Sequence, residues 1–126
     1  MAKQDSRLFD GTQGSEDDGY RRVEGHTTRL NADAQGKHIP GHRNYIPGRS
    51  IFLGSLADAQ ELLDRFAGTG EWANDEMTKE RIDFGRIIGT YVNSKTGEKL
   101  PTTQGIIHYS KNGAHIVPCR PKKKDD

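Results

Sequence analysis

The chain holds one cysteine, Cys119, among 126 residues, so no internal disulfide can form and a core without bridges must carry the fold. A lone thiol suits a reducing, cytoplasmic setting. No stretch approaches the roughly 20 apolar residues that a transmembrane helix needs, so no membrane partner is expected. The opening Met1-Ala2-Lys3-Gln4-Asp5 runs into acidic, glycine-rich sequence rather than an apolar segment, which speaks against a secretory signal. Large apolar residues are also scarce: Ile, Leu, Val and Phe make up 18% of the chain and aromatics 7%, a level at which disorder has to be considered. Disorder usually needs a large net charge as well, and Lys+Arg 19 against Asp+Glu 18 leaves only +1.

What is there is unevenly placed. Residues 1–35 hold only Leu8, Phe9, Val23 and Leu30 of the large apolar set, together with Gly11, Gly14, Gly19, Gly25 and the run Glu16-Asp17-Asp18. Such composition does not repay its ordering entropy, so a flexible polar N-terminal arm is expected over 1–35, helical at most near Ser6 to Phe9. Residues 36–121 hold the rest and read as one compact domain with a modest core. Residues 122–126, Lys122-Lys123-Lys124-Asp125-Asp126, form a charged tail. The net +1 also hides a pattern: residues 36–55 carry Lys37, Arg43 and Arg49 with no acid, and residues 82–126 are basic again, against an acidic arm and an acidic stretch over 56–81. Two basic segments in a nearly neutral chain suggest a local polyanion contact.

Lys37 to Ser50 contains two Ile-Pro-Gly units. Proline fixes φ and the glycine after it allows positive φ, so each unit predicts a turn in a long loop. Ser55 to Phe66 predicts a helix, with a capping box from Ser55 and Asp58 or from Asp58 and Glu61. Leu56, Ala59, Leu62, Leu63 and Phe66 share one face, and Gly68 and Gly70 end it. Beyond Lys79 the period alternates. Strands are predicted over Arg81 to Phe84 and Arg86 to Val92 with a bend at Gly85, over Lys99 to Thr103 with Pro101 at an edge, and over Gly105 to Ser110 and Ala114 to Pro118. The fold class is therefore α+β: an N-terminal helical and loop part packed on a C-terminal antiparallel meander of about four strands.

Asn112-Gly113 is a strong hairpin signal. A two-residue loop there pairs Ser110 with His115 and His108 with Val117, and puts His108, Ser110 and His115 on one face with Ile107, Tyr109 and Ile116 on the other. A three-residue loop with a bulge would pair Ser110 with Ala114 and disperse that cluster.

Zinc is a poor match for these histidines. Pro40-Gly41 breaks the helix that could align His38 with His42, and no paired cysteines or third acidic ligand stand at a usual spacing, so neither metal nor cofactor is expected. Cys119, between Pro118 and Arg120-Pro121, is taken as incidental rather than nucleophilic. Phosphodiester chemistry on RNA fits better. Attack by a 2′-hydroxyl needs a proton acceptor, a proton donor for the leaving oxygen, and cations or hydroxyls around the phosphate. His38, His108 and His115 suit the proton roles because imidazole titrates near neutrality. Lys37, Arg49, Thr103, Ser110 and Lys111 are candidates for phosphate, and Tyr45 for stacking on a base. Tyr109 falls on the apolar face and reads as core.

Lys37-His38-Ile39-Pro40-Gly41, Asn44-Tyr45, Leu62-Leu63 to Gly70, Asp83-Phe84-Gly85, Ile88-Gly89 and the run from Pro101 to Pro118 together resemble the polymorphic toxin type 50 domain over about Gln35 to Pro121. The resemblance implies a bacterial toxin domain, a ribonuclease of the barnase/EndoU/colicin/RelE-like fold. Such domains are often attached to larger secreted toxins or to phage head proteins of the MuF type. It assigns His38, His108, Ser110, Lys111 and His115 to polar positions of the family, with Thr102 and Thr103 before them. At His42 the family holds a small residue, which sets His42 apart from catalysis. The implied partners are an RNA substrate and an immunity or host protein. The alternative function is a non-enzymatic phage accessory protein that binds and inhibits a host protein or nucleoprotein; a virion structural component is a third.

Overall fold

The computed structural model describes residues 18–122. A helix near Ser6 to Phe9 and the tail after Lys122 lie outside the described residues, and so does the first part of the arm.

Helix α2 (Leu56–Phe66) is the longest helix among them. The Ser55 side chain accepts from the Asp58 amide while the Asp58 carboxylate accepts from the Ser55 amide, so the box that forms is the one begun by serine. Ala59, Leu62 and Leu63 face inward. Helix α1 (Ala32–Gly36) is a short turn capped by Asn31, whose side chain accepts from the Ala34 amide.

The strands are β1 (Arg22–Val23), β2 (His26–Thr27), β3 (Ile51–Phe52), β4 (Glu71–Trp72), β5 (Lys79–Asp83), β6 (Gly89–Val92), β7 (Lys99–Thr102), β8 (Gln104–Ser110) and β9 (Gly113–Pro118). They form three sheets, ordered β1-β2, β3-β6-β7 and β4-β5-β8-β9, with antiparallel pairing throughout. The architecture is α+β, and the expected meander is present but folded in two. Gly85 takes φ +76 between β5 and β6, Thr103 interrupts β7 and β8, and the Phe84 and Ile88 amides donate to Thr103 and Thr102 carbonyls across the bend. A long hairpin kinked at the same level in both arms thus supplies two sheets. Between them and α2 lies a core of Phe52, Leu62, Leu63, Ile82, Phe84, Ile88, Ile107 and Ile116.

The β8–β9 register differs from the one expected. Ser110 pairs with Gly113, Tyr109 with Ala114 and His108 with His115, so the loop is Lys111-Asn112 and partners move by two residues. The cause is Gly113. Its φ is +123, and a Cβ there would sit 2.7 Å from the Arg29 carbonyl oxygen and 2.9 Å from the Asn31 nitrogen. This glycine serves a close approach of the incoming chain, not a primed turn. A two-residue shift preserves the faces, so the histidines stay together and become direct cross-strand neighbours.

Residues 18–35 differ from the tether the composition suggested. The Arg21 guanidinium donates to the carbonyls of Leu63, Asp64 and Ala67 at the end of α2 (3.1, 2.8 and 2.9 Å), which satisfies orphan groups of that helix with a cation at its negative end. The Gln60 amide clasps Thr28 and Leu30 main chain at 2.9 and 2.8 Å. Ala114 then exchanges hydrogen bonds with Arg29 and Asn31. Polar contacts with long sequence separation order this stretch, and composition carries no trace of them.

A candidate active site built from three histidines

Three segments bring the histidines into one row. Gln35, fully buried, uses its side chain as a strand would use its backbone: Nε2 donates to the Ile116 carbonyl at 2.9 Å and Oε1 accepts from the Ile116 amide at 2.8 Å. That clasp covers the outer edge of β9 and fixes α1 beside His115. One helical turn later comes His38. Its carbonyl accepts from the Phe52 amide at 2.8 Å, and its Nδ1 lies 2.9 Å from the Ser50 carbonyl. A carbonyl only accepts, so Nδ1 bears the proton and, in the neutral ring, Nε2 carries the lone pair.

The His38 and His115 ring centroids are 6.0 Å apart with planes inclined by 21°, and those of His108 and His115 are 5.0 Å apart at 25°. The three rings thus lie side by side with His115 in the middle. The nearly parallel planes keep their in-plane lone pairs from converging on one ion, and among the described residues no group of His, Cys, Asp or Glu is arranged to hold a metal. Lys79 extends the row, because it pairs with His108 across β5 and β8 just as His108 pairs with His115. Lys79, His108 and His115 therefore occupy one rung across the sheet, and His38, itself buried, stacks on His115 at its end. Lys79 was missed from sequence, where only the start of an alternating period at that position could have drawn attention to it.

The electrostatics of the row are one-sided. Burial lowers the pKa of His38, and the charges of Arg49 and Lys37 lower it further against the Ser50 hydrogen bond. Burial, Lys79 and His38 lower His108. His115, in the middle, is pushed down to about 3 by burial, His108, His38 and Lys37. Every charge acting on these rings is positive, so at neutral pH all three are neutral bases held beside cations.

Lys37 and Arg49 thus belong to the neighbourhood, both exposed, and neither makes an ion pair among the described residues. The other candidates differ in their placement relative to the row. Thr103 precedes β8 by one residue, and four residues of strand separate it from His108, about 16 Å. Ser110 shares the face of His108, but its hydroxyl donates to the Gly113 carbonyl and accepts from the Asn112 amide, closing the turn (3.0 and 3.2 Å). Lys111 is exposed at that turn. The Tyr45 amide donates to His42 within the loop, and the rings of the row stack only on each other among the described residues. His42 has a place of its own: its Nδ1 accepts from the Asn44 amide at 3.0 Å, and its ring lies so close over Gly36 that any Cβ there would overlap it.

The opposite face of the same sheet is closed. Glu80 is buried, and its carboxylate accepts from the Gly68 and Gly70 amides (3.0 and 2.8 Å) and from the Tyr109 hydroxyl at 2.6 Å. Burial and this carboxylate push the Tyr109 phenol up, so it stays a donor. Burial likewise pushes the Cys119 thiol up, which removes its nucleophilic form.

No helix among the described residues is long and apolar enough to cross a membrane. Among curated proteins none matches the sequence. The family model for bacterial toxin 50 matches residues 30–118, a span that runs from the bridge at Leu30 through the histidine row to the end of β9. On that match the chain belongs to the bacterial toxin 50 family.

Proposed function

We propose that this toxin domain is a metal-independent endoribonuclease in which His38 takes the proton of a ribose 2′-hydroxyl and the stacked His108–His115 pair returns one to the leaving 5′-oxygen. The observation that carries the reading is the row of three neutral imidazoles among Lys37, Arg49 and Lys79 with no carboxylate acting on it. A phosphodiester is the anion such a place lacks. Bound there, it offsets the positive charge around the rings and raises their proton affinity, so that one imidazole holds a proton while another stays a base. His38 suits the base role because Ser50 fixes its tautomer. The 2′-oxygen then attacks the adjacent phosphorus, the bond to the 5′-oxygen breaks, and a 2′,3′-cyclic phosphate and a 5′-hydroxyl remain. Lys37, Arg49 and Lys79 stabilise the charge that grows on the phosphoryl oxygens.

The test is expression of wild type and His115→Ala from a tight promoter, with growth and the integrity of total RNA followed, and cleavage by purified protein assayed in EDTA. Growth arrest with cyclic-phosphate ends, both lost in the variant, is the expected result. Intact RNA with wild-type protein would sink the reading, and a salt-resistant complex with a host protein in its place would favour the non-enzymatic inhibitor.

A further inference from the structure

Beside the histidine row the protein has an open cleft of about 530 Å³, lined by Arg29, Asn31, Asp33, Lys37 and Asn112 among others. We propose that this cleft holds one unpaired nucleobase of the RNA strand next to the scissile phosphate, which makes single-stranded RNA the substrate. The inference rests on the ribonuclease reading and adds a subsite to it.

Its position comes first. Lys37 lines the cleft and also acts on His38 and His115, so one cation borders both places. Asn112 sits at the tip of the β8–β9 hairpin, three residues before His115, and the bridge between Leu30 and Ala114 forms the wall between them. A strand with its phosphate against the rings has this cleft as its adjoining room.

The chemistry of the lining separates the cleft from the row. In the row all the charges are positive. The cleft lining adds an acid, Asp33, to Lys37 and Arg29, and Arg29 is partly neutralised by its pair with Asp18 at 3.4 Å. A second phosphate would meet the Asp33 carboxylate, whereas a base edge offers donors and acceptors side by side. Lys37 and the Asn112 side-chain amide donate, Asp33 and the Asn112 side-chain oxygen accept, and Arg29, which reaches the Asn112 main-chain carbonyl at 3.5 Å, adds a cation at the rim. The helix end itself takes no part, since Asn31 already caps α1 through the Ala34 amide. The volume lies within the range of small-molecule clefts and accommodates a single nucleoside. A base enters only when it is splayed from its stack.

The experiment compares wild type, Asn112→Ala and Asp33→Asn on a structured RNA of known pairing, by mapping cut sites and by measuring KM and kcat, with thermal unfolding as the check on folding. Wild type should cut at unpaired nucleotides with a base preference on one side of the cut. Each variant should flatten that preference and raise KM about fivefold or more while kcat holds. Cleavage by variants with wild-type preference and KM overturns the subsite and leaves the ribonuclease reading standing. If wild type leaves RNA intact, the ribonuclease reading itself has failed. The cleft is then judged by titration of a fluorescent single-stranded oligoribonucleotide: binding weakened to the same degree by both variants supports it, and binding absent or unchanged overturns it.

Discussion

The two faces of the β4-β5-β8-β9 sheet handle charge in opposite ways. On the closed face Glu80 is buried, yet two glycine amides and the Tyr109 hydroxyl meet its oxygens. On the other face Lys79, His108 and His115 follow one another, with the buried His38 stacked at their end, like charge beside them and no acid acting on the rings. Burial of a satisfied charge holds a fold together, whereas a set of unsatisfied ones is tolerated where a ligand completes it. The residues alternate along the same strands, so neighbours in sequence serve opposite ends: Lys79 and Glu80, His108 and Tyr109, His115 and Ile116.

Substitutions on each face should separate these roles. His115→Ala should lower RNA cleavage by about 10²–10⁴-fold, measured at saturating substrate, with the fold intact by circular dichroism; a loss of folding instead would erase the distinction between faces. Glu80→Ala should leave two amides and a phenol unpaired and cost about 3 kcal/mol in urea unfolding, while Lys79→Ala, tested alongside, should stay within about 0.5 kcal/mol.

Acid should act through the histidine face. The folded-state pKa of His115, about 3, lies below the unfolded value of about 6.5, and His38 and His108 shift the same way. Between those limits the unfolded chain binds more protons, so stability is full above about pH 6.5 and falls as the pH drops toward 3. The loss should be on the order of a few kcal/mol and shallower in His115→Ala; equal slopes in both proteins would remove the histidine row as the cause. Milder still, Lys37→Ala and Lys79→Ala should each reduce the slope of log affinity against log salt for single-stranded RNA by about 0.7. Ser110→Ala, confined to the turn, should cost about 1 kcal/mol or less and leave cleavage untouched.

Local chemistry was readable in the sequence. The α2 box at Ser55 and Asp58, the two Ile-Pro-Gly turns with Gly41 and Gly48 at φ +92 and +91, the bend at Gly85 and the separation of His108 from Tyr109 all follow from residue type and period. What stayed hidden depended on contacts distant in sequence. Gly113 looks like a hairpin glycine until the passing backbone at Arg29 to Asn31 is known. β3 and β4 span two residues each, too short to show a period. Lys79 joins the site through a register that pairs it with His108, and Asp33, Arg29 and Asn112 meet only because the first described residues return along β9.

The Gln35 clasp ties solubility to the placement of His38. A bare β9 edge would offer its amides and carbonyls to any extended peptide, including another copy of this chain. The side chain that blocks such pairing also sets the start of the segment bearing His38. Damage at this one amide would therefore expose an adhesive strand and displace His38 together, so a chain that has lost the clasp should both self-associate and lose the alignment of its histidine row.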